Sequence, residues 1–375
     1  NLELAGMMIR RERLRRGWSQ AGLCRGICAA SYLSKLEQGK ARPSPEVLAL
    51  LFERLGLQWA LEPEVEALLA RCRALLLEGD RAAFCRSFSA LQAREQTLTR
   101  SRQALDFLLL QAFYADEHRP LPEDCEPFMT PPQRALQLAL KRDYAAATAL
   151  EPAPFYRMME GVDRYRQGEY ALAMEALQQA YDRAAEQGLV RLMLLSRTYL
   201  GNCCSDLGSM EQLRQHYAVA RRLALALGDD GLRTTIDYNL ASSQLEQGDA
   251  AAAYAYFSGL EAPSVLALHK LAICCEQLGK RQEGLAALDR AETNAAAGEI
   301  APELAQEMLA LVRFRLEQAD FLQRPEYGAR LLETFAHIRA ELPMGYVRFH
   351  LPYVLKWYEA ARQYRQAYLL RCEFS

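Results

Sequence analysis

Residues 24–40 read CRGICAASYLSKLEQGK, and the folding of this stretch decides what the N-terminus is. A first helical piece, AGLCRGI, runs into a turn at Cys28-Ala29-Ala30, after which Ser31 is expected to cap a second piece, YLSKLEQ. Gly39 follows as a C-terminal glycine stop. Two short helices leaning on a tight turn suit either a DNA-reading element or a hairpin closing a larger helical protein.

Outward from this stretch, the text stays helical. LELAGMMIRRERLRRG places Leu4, Met7, Met8 and Leu14 at helical spacing, leaves Arg10, Arg11, Arg13, Arg15 and Arg16 on the other faces, and ends at Gly17. Ser19 stands at an N-cap position, and Pro43-Ser44-Pro45-Glu46 opens a fourth helix that runs through VLALLFERLG to Gly56. Leu23, Ile27, Leu33, Leu36, Val47, Leu50, Leu51 and Leu55 supply one small core, so the spacing predicts an independent helix-turn-helix unit over 1–60.

Charge separates this head from the rest. Residues 1–60 hold ten Lys plus Arg against five Asp plus Glu, whereas the remaining 315 residues hold 35 against 42. A basic head on an acidic body confines polyanion contact to the head. The whole chain of 375 residues is rich in Ala, Leu, Arg and Glu and shows no sustained apolar–polar alternation, which predicts an all-α protein of more than one cored unit. No charge-free apolar run reaches membrane-spanning length and the first residues turn charged early, so the expectation is a soluble, cytoplasmic protein with no membrane association. Ten cysteines scattered through helical text read as small buried hydrophobes of a reducing compartment.

The landmarks Ile9-Arg10, Ser19-Gln20, Tyr32 to Gly39, Pro43-Ser44 and Leu55-Gly56-Leu57 give a specific match: residues 4–58 resemble the helix-turn-helix of the Cro and phage-repressor type. The text between the second and third helices, GICAAS, is a residue shorter than the usual form. A helix lying in the major groove presents its first turns to base edges, which nominates Ala30, Ser31, Tyr32, Ser34 and Lys35. The resemblance makes Gln20 a phosphate contact at a helix start with Ser19 beside it, and Arg10, Arg13, Lys40 and Arg42 backbone clamps on a double-stranded DNA operator. For any single arginine, a solvated surface role is the competing reading.

From residue 61 the chain alternates helices with short breaks; 61–80 reads as a linker helix and 81–375 as the body. Four segments, DRYRQGEYALAMEAL, CSDLGSMEQLRQHY, SQLEQGDAAAAYAYF and CEQLGKRQEGLAAL, each end one helix on a glycine before another begins. The glycines are Gly168, Gly208, Gly248 and Gly279, and the text around them resembles the tetratricopeptide repeat. The implied architecture is a helix-turn-helix domain followed by a tetratricopeptide-like α-solenoid, extended to helices before Arg157 and to those that start at Pro302, Pro325 and Pro343.

In such an array the first helices line a groove. Counting back from each glycine places Tyr165 and Arg166, then Thr198, Tyr199 and Asn202, then Tyr238, Asn239 and Ser242, then His269 and Lys270 in it, together with Asp206, Glu246 and Glu276. Asn202 and Asn239 carry both donor and acceptor and can grip the backbone of an extended peptide; a purely intrahelical role is the alternative. No catalytic or metal set is legible: His118, His216, His269, His337 and His350 are dispersed, Cys24 and Cys28 have no second pair, and HExxH, GxGxxG, GxxxxGK[ST] and GxSxG are absent. Neither a cofactor nor an enzymatic activity is expected.

A basic helix-turn-helix with a shortened GICAAS turn, joined to an acidic tetratricopeptide-like body, is similar to the RRNPP group of quorum-sensing regulators, which includes the Rgg and PlcR types. The resemblance implies a homodimeric transcription regulator whose body binds a short signalling peptide and thereby resets the two heads on DNA. Phage receptors of the arbitrium type share this plan. A helical adaptor for a protein partner and a constitutive dimeric repressor without a peptide ligand are the competing readings.

Overall fold

A computed structural model describes residues 2–57, 63–115, 119–294, 300–342 and 344–374. Trp59, the expected boundary at 60, His118 and the helix start expected at Pro343 lie outside the described residues. Every described element is a helix or a connection, and no β-strand occurs among the described residues. The chain divides into two compact units, Asn1–Glu160 with Gln179–Met193, and Gly161–Gln178 with Leu194–Ser375. The four head helices thus share a unit with the first helices of the body.

The head is built from α1 (Leu2–Arg15), α2 (Gln20–Cys24), α3 (Ala30–Glu37) and α4 (Pro45–Leu55). Ser19 Oγ accepts the Gly22 N–H at 3.0 Å, the cap read from the sequence, and Ser44 Oγ accepts that of Val47 at 3.3 Å, capping the helix expected to open there. Gly39 takes φ +70° and lets the Gly39 and Lys40 N–H groups bond back to Leu36 and Lys35, closing α3. Ser31 is not the cap of α3: Ala29 has the extended cap conformation and the helix starts at Ala30, leaving Ser31 one residue inside with its side chain exposed.

Leu23, Leu33, Leu36, Leu51 and Leu55 are sealed at 0–1% exposure. The buried face of α4 is rotated from the expected one, being Leu48, Leu51, Phe52 and Leu55 at i, i+3, i+4, i+7, while Leu50 is 47% exposed and Val47 half-buried. Leu14 is likewise exposed, and Ala5 and Ile9 fill that part of α1's inner face.

The rest of this unit carries α5 (Pro63–Leu77), α6 (Arg81–Gln92), α7 (Glu95–Leu98), α8 (Ala104–Tyr114), a 3-10 turn (Glu123–Phe128), α9 (Pro131–Leu140) and α10 (Tyr144–Leu150). Phe84, Phe88 and Phe107 stack in its core. Helices α11 (Pro154–Arg166), α12 (Tyr170–Glu186) and α13 (Val190–Asp206) each run across the division between the units. The second unit continues with α14 (Met210–Leu227), α15 (Asp230–Glu246), α16 (Ala250–Ser258), α17 (Val265–Gln277), α18 (Arg281–Asn294), α19 (Pro302–Glu317), α20 (Pro325–Glu341), α21 (Met344–Ala360) and α22 (Tyr364–Glu373).

One turn geometry recurs. Two residues after the end of a helix and two before the next stands a residue in the left-handed region: Gly168, Gly208, Gly248 and Gly279, as read, and also Gly79, Arg142 and Arg362. Arg142 and Arg362 hold φ of +62° and +58° without being glycine, which is why a search keyed to glycine passes over the hairpins α9–α10 and α21–α22. After the left-handed residue an acid often caps the next helix; Asp80, Asp143 and Asp249 each accept an N–H three residues on.

In the second unit, first helices of successive hairpins lie side by side. Ser205 and Ser243 hydroxyls meet at 2.6 Å between α13 and α15, and Arg315 on α19 holds Glu276 on α17 through Nε at 2.8 and 2.9 Å. All ten cysteines are free thiols, and Cys203, Cys204, Cys274 and Cys275 are wholly buried in helix packing. Burial pushes the Cys203 and Cys274 thiols up to about 12 and that of Cys275 to about 11, so these groups pack rather than react.

Candidate DNA-reading face and repeat groove

The outer face of α3 carries Ala30, Ser31 and Lys35 exposed, with Tyr32 and Ser34 half-buried at its edges. Lys40 and Arg42 follow the Gly39 stop and are exposed, as is Arg10 on α1. Tyr32 Oη donates to the Arg42 carbonyl at 3.0 Å, tying α3 to the segment after it. A shallow recess between α1, α2 and α3 brings Arg10, Gln20, Ser34 and Gln38 together.

Arg13 does not stand as a phosphate clamp. Only 8% exposed, it reaches inward so that Nε and Nη2 donate to Glu37 at 2.6 and 2.9 Å, while Nη1 donates to the Trp18 carbonyl at 2.7 Å. Gln20 Nε2 also donates to Glu37, at 2.8 Å, so its amide is turned into the head rather than outward. Other head arginines are similarly engaged. Arg16 Nη2 bonds the Leu55 carbonyl at 2.6 Å, Arg54 Nη1 bonds those of Leu23 and Arg25 at 2.8 and 2.7 Å, and Arg15 and Arg16 both pair with Glu12. The guanidinium of Arg15, with that of Arg16, holds the Glu12 carboxyl down at about 2 against its partial burial. Sequence reasoning missed Glu37; the available signal was an acid one helical turn beyond Leu33, on the face that must be buried, where a charge requires a partner.

In the second unit nine of the thirteen nominated groove residues converge. Tyr165, Asn202, Tyr238, Asn239, Ser242 and Lys270 line a recess of about 200 Å³ that also includes Tyr217 and Tyr346. Ser205, Asp206, Glu246 and Phe349 belong both to this recess and to a larger one of about 550 Å³, which extends to Glu276, Arg315, Tyr327, Tyr353 and Lys356. The two form one groove along the ends of α13, α15 and α17, with α21 as its opposite wall.

The asparagines act as a pair. Asn202 Oδ1 accepts from Tyr217 Oη at 2.6 Å and from Asn239 Nδ2 at 3.5 Å, so the amides of neighbouring repeats orient each other. Both amides belong to residues of the groove lining, and a side-chain amide carries a donor and an acceptor, the complement of one peptide unit.

Four nominated residues are not placed in the groove. Arg166 is exposed away from it, and Tyr199 packs edge-on against Tyr165 with ring centroids 5.7 Å apart. Thr198 is buried with Oγ1 donating to the Leu194 carbonyl at 2.9 Å. His269 is buried and stacks on His350, centroids 5.6 Å apart. Counting back from a glycine gives the distance along a helix but not which neighbours cover it; on α17, packed against α16, α18 and α19, His269 is turned into the packing while Lys270, one residue on, still lines the groove.

A helix starting near Pro343 was expected, but not the part of α21 as a groove wall, although YVRFHLPYVLKWY places Tyr346, Phe349 and Tyr353 at i, i+3, i+7. Arg348 Nη1 donates to the Asp206 carbonyl at 2.8 Å, the Lys270 ammonium sits 3.6 Å from the Phe349 ring centroid, and the Arg315 guanidinium lies 4.5 Å from that of Tyr353. Burial pushes the Lys270 ammonium down and the crowded Glu246 carboxyl up, each opposed by attraction to the other. Burial also raises Asp206, against Arg348 and the Tyr165 and Tyr170 hydroxyls that hydrogen-bond it. No group of three or more metal-ligating side chains is found among the described residues, and no described helix is long and apolar enough to cross a membrane.

Residues 9–60 match the model of the Helix-turn-helix family, so the chain carries a helix-turn-helix domain at its N-terminus. Beyond the head, the likeness is to solved structures. A Rap protein complexed with Competence and Sporulation Factor is 15% identical over 84% of this chain and 97% of its own, with TM-score 0.61. The apo form of the quorum sensor NprR from B. thuringiensis is 15% identical over 83% of this chain and 100% of its own, with TM-score 0.54. PlcR from Bacillus thuringiensis, in complex with the peptide PapR7 and DNA, matches at 12% identity over 62% of this chain and 98% of its own; its TM-score of 0.31 gives it no weight. Among curated proteins none matches the sequence. The chain thus has an all-α fold, a helix-turn-helix head followed by tetratricopeptide-like helical repeats, the fold it shares with the Rap and NprR structures.

Proposed function

We propose that this protein is a transcription regulator that binds double-stranded DNA through α3 and a short signalling peptide through the groove of its second unit. One observation carries the reading: the same chain holds a helix-turn-helix with an exposed Ser31–Lys35 face and a repeat groove floored by the mutually oriented Asn202 and Asn239. Lys35, Ser31 and Ala30 meet base edges; Arg10, Lys40 and Arg42 contact phosphates, with Ser19 at the exposed start of α2. An extended peptide lies along α13 and α15 with its backbone on the asparagine pair and its side chains toward Tyr165, Tyr238 and Lys270. That the quorum sensor NprR and a Rap protein complexed with Competence and Sporulation Factor share the fold supports this assignment.

The regulator acts as a homodimer in the cytoplasm. Two heads reading half-sites about one DNA turn apart, roughly 34 Å, are sensitive to small changes in the bodies that carry them. Peptide and DNA then bind with a coupling free energy that is the same in both directions. Calorimetry with short peptides encoded beside the gene tests the groove: peptide binding that is lost in the Asn202→Ala, Asn239→Ala double variant supports the reading. Binding unaltered by the double substitution contradicts it.

A further inference from the structure

Most charged side chains on the two recesses of the second unit are already engaged. Arg315 holds Glu276, Arg348 donates to the Asp206 carbonyl, and the Tyr165 and Tyr170 hydroxyls hydrogen-bond the Asp206 carboxylate. Lys356 is exposed. There remain Lys270 on α17 and Glu246 at the end of α15, which line the smaller recess together with the asparagine pair.

Lys270 is only 6% exposed, and its ammonium opens onto that recess. The Phe349 and Tyr238 ring centroids, 3.6 and 5.9 Å away, attract the cation without supplying an oxygen acceptor for its three N–H groups. Glu246 attracts it as well, yet no hydrogen bond or ion pair joins the two, and neither has another such partner among the described residues. The recess therefore holds an unmet donor and an unmet acceptor within electrostatic reach of each other.

A charge withdrawn from water is costly until it is hydrogen-bonded, so a ligand that meets both groups is favoured. A carboxylate would meet Lys270 but be repelled by Glu246 and Asp206. An ammonium or guanidinium would meet Glu246 but be repelled by Lys270 and Arg348, and a hydrocarbon would leave both unmet. A primary amide answers both, its oxygen accepting from Lys270 and its N–H donating to Glu246. Asn239, Ser242 and Glu246 recur at i, i+3, i+7, so Glu246 stands about 10 Å along α15 from Asn239. That is far enough to meet a different peptide residue from the one whose backbone lies on the asparagines.

We propose that Lys270 and Glu246 select a signalling peptide with an Asn or Gln side chain at the position seated between them, its carboxamide bridging the two charges. This selection rests on the reading of the groove as a peptide site and fixes the chemistry of one peptide position.

The test is affinity selection of a synthetic random heptapeptide library on the full chain, with bound peptides sequenced by mass spectrometry. On the unmodified protein Asn or Gln is enriched at one position at least about fivefold, the worth of one net hydrogen bond. Lys270→Met leaves the acid alone and shifts that position to Lys or Arg, whereas Glu246→Leu leaves the cation alone and shifts it to Asp or Glu. Circular dichroism verifies that both variants are folded. Folded variants that keep the amide preference overturn the proposal. Capture of no heptapeptide by the unmodified chain overturns it together with the peptide reading of the groove. Peptides captured without an amide preference, and lost in the Asn202→Ala, Asn239→Ala variant, overturn it while that reading stands.

Discussion

Arg13 of α1 and Glu37 of the recognition helix form a bidentate ion pair, 2.6 and 2.9 Å, with side chains only 10% and 3% exposed. The pair fixes the helix that presents Lys35 against the helix that opens the chain, and Gln20 closes the same network from α2. Removing one partner leaves the other buried and unpaired, the costly half of such an interaction.

Arg13→Ala is therefore expected to destabilise the head by about 3–5 kcal/mol, and Arg13→Met with Glu37→Leu by much less. Urea denaturation followed by circular dichroism measures both. Equal loss in the single and double variants would show that the pair's charge is not the cause.

Lys35→Ala and Arg42→Ala remove exposed cations without touching the core, so stability should change by less than about 0.5 kcal/mol. If Arg42 contacts a phosphate, its loss lowers the salt dependence of DNA affinity by about one unit of slope. Lys35, set toward the bases, lowers discrimination between operator and random DNA by about 1–3 kcal/mol. Fluorescence anisotropy across a salt series separates the two; unchanged slopes and unchanged discrimination would remove these residues from the interface.

The asparagine pair is asymmetric. Asn202 Oδ1 is the acceptor for the buried Tyr217 hydroxyl, whereas Asn239 contributes a donor at 3.5 Å. Asn202→Ala should cost about 1–3 kcal/mol of stability and Asn239→Ala less than half of that, while both weaken peptide binding. Thermal unfolding beside calorimetry reads the two quantities separately; equal stability losses would contradict the network.

His269 and His350 are buried together against Lys270 and Arg315, and burial drives His350 down to about 3 and His269 well below its ordinary value. Folded imidazoles that stay neutral bind fewer protons than unfolded ones below pH 6.5, so stability is full above that pH and falls as the medium is acidified. Between pH 6.5 and 5 the loss is roughly 2 kcal/mol per imidazole. His350→Phe should remove about half of that slope, as urea midpoints at pH 7 and 5 would register; a slope unchanged by the substitution would assign the acid sensitivity elsewhere.

Local signals carried most of the fold. Ser19 and Ser44 cap helix starts with their side chains, Gly39 and Gly56 end helices in the left-handed conformation, and Gly168, Gly208, Gly248 and Gly279 sit in left-handed turns, so each was legible one position at a time. What stayed hidden depends on partners distant in sequence. Arg13 looked like a surface cation until Glu37 claimed it, and His269 looked like a groove residue until α21 closed over α17. Arg348 reaches Asp206 across 142 residues, a separation no periodicity reports.

The most direct test of the central claim is the anisotropy of a labelled operator, selected from random duplexes, titrated with the full chain with and without saturating peptide encoded beside its gene. The account predicts that peptide shifts DNA affinity at least about fivefold in either direction, and that Asn202→Ala with Asn239→Ala abolishes the shift but not DNA binding itself. DNA affinity that is the same with and without bound peptide would contradict it.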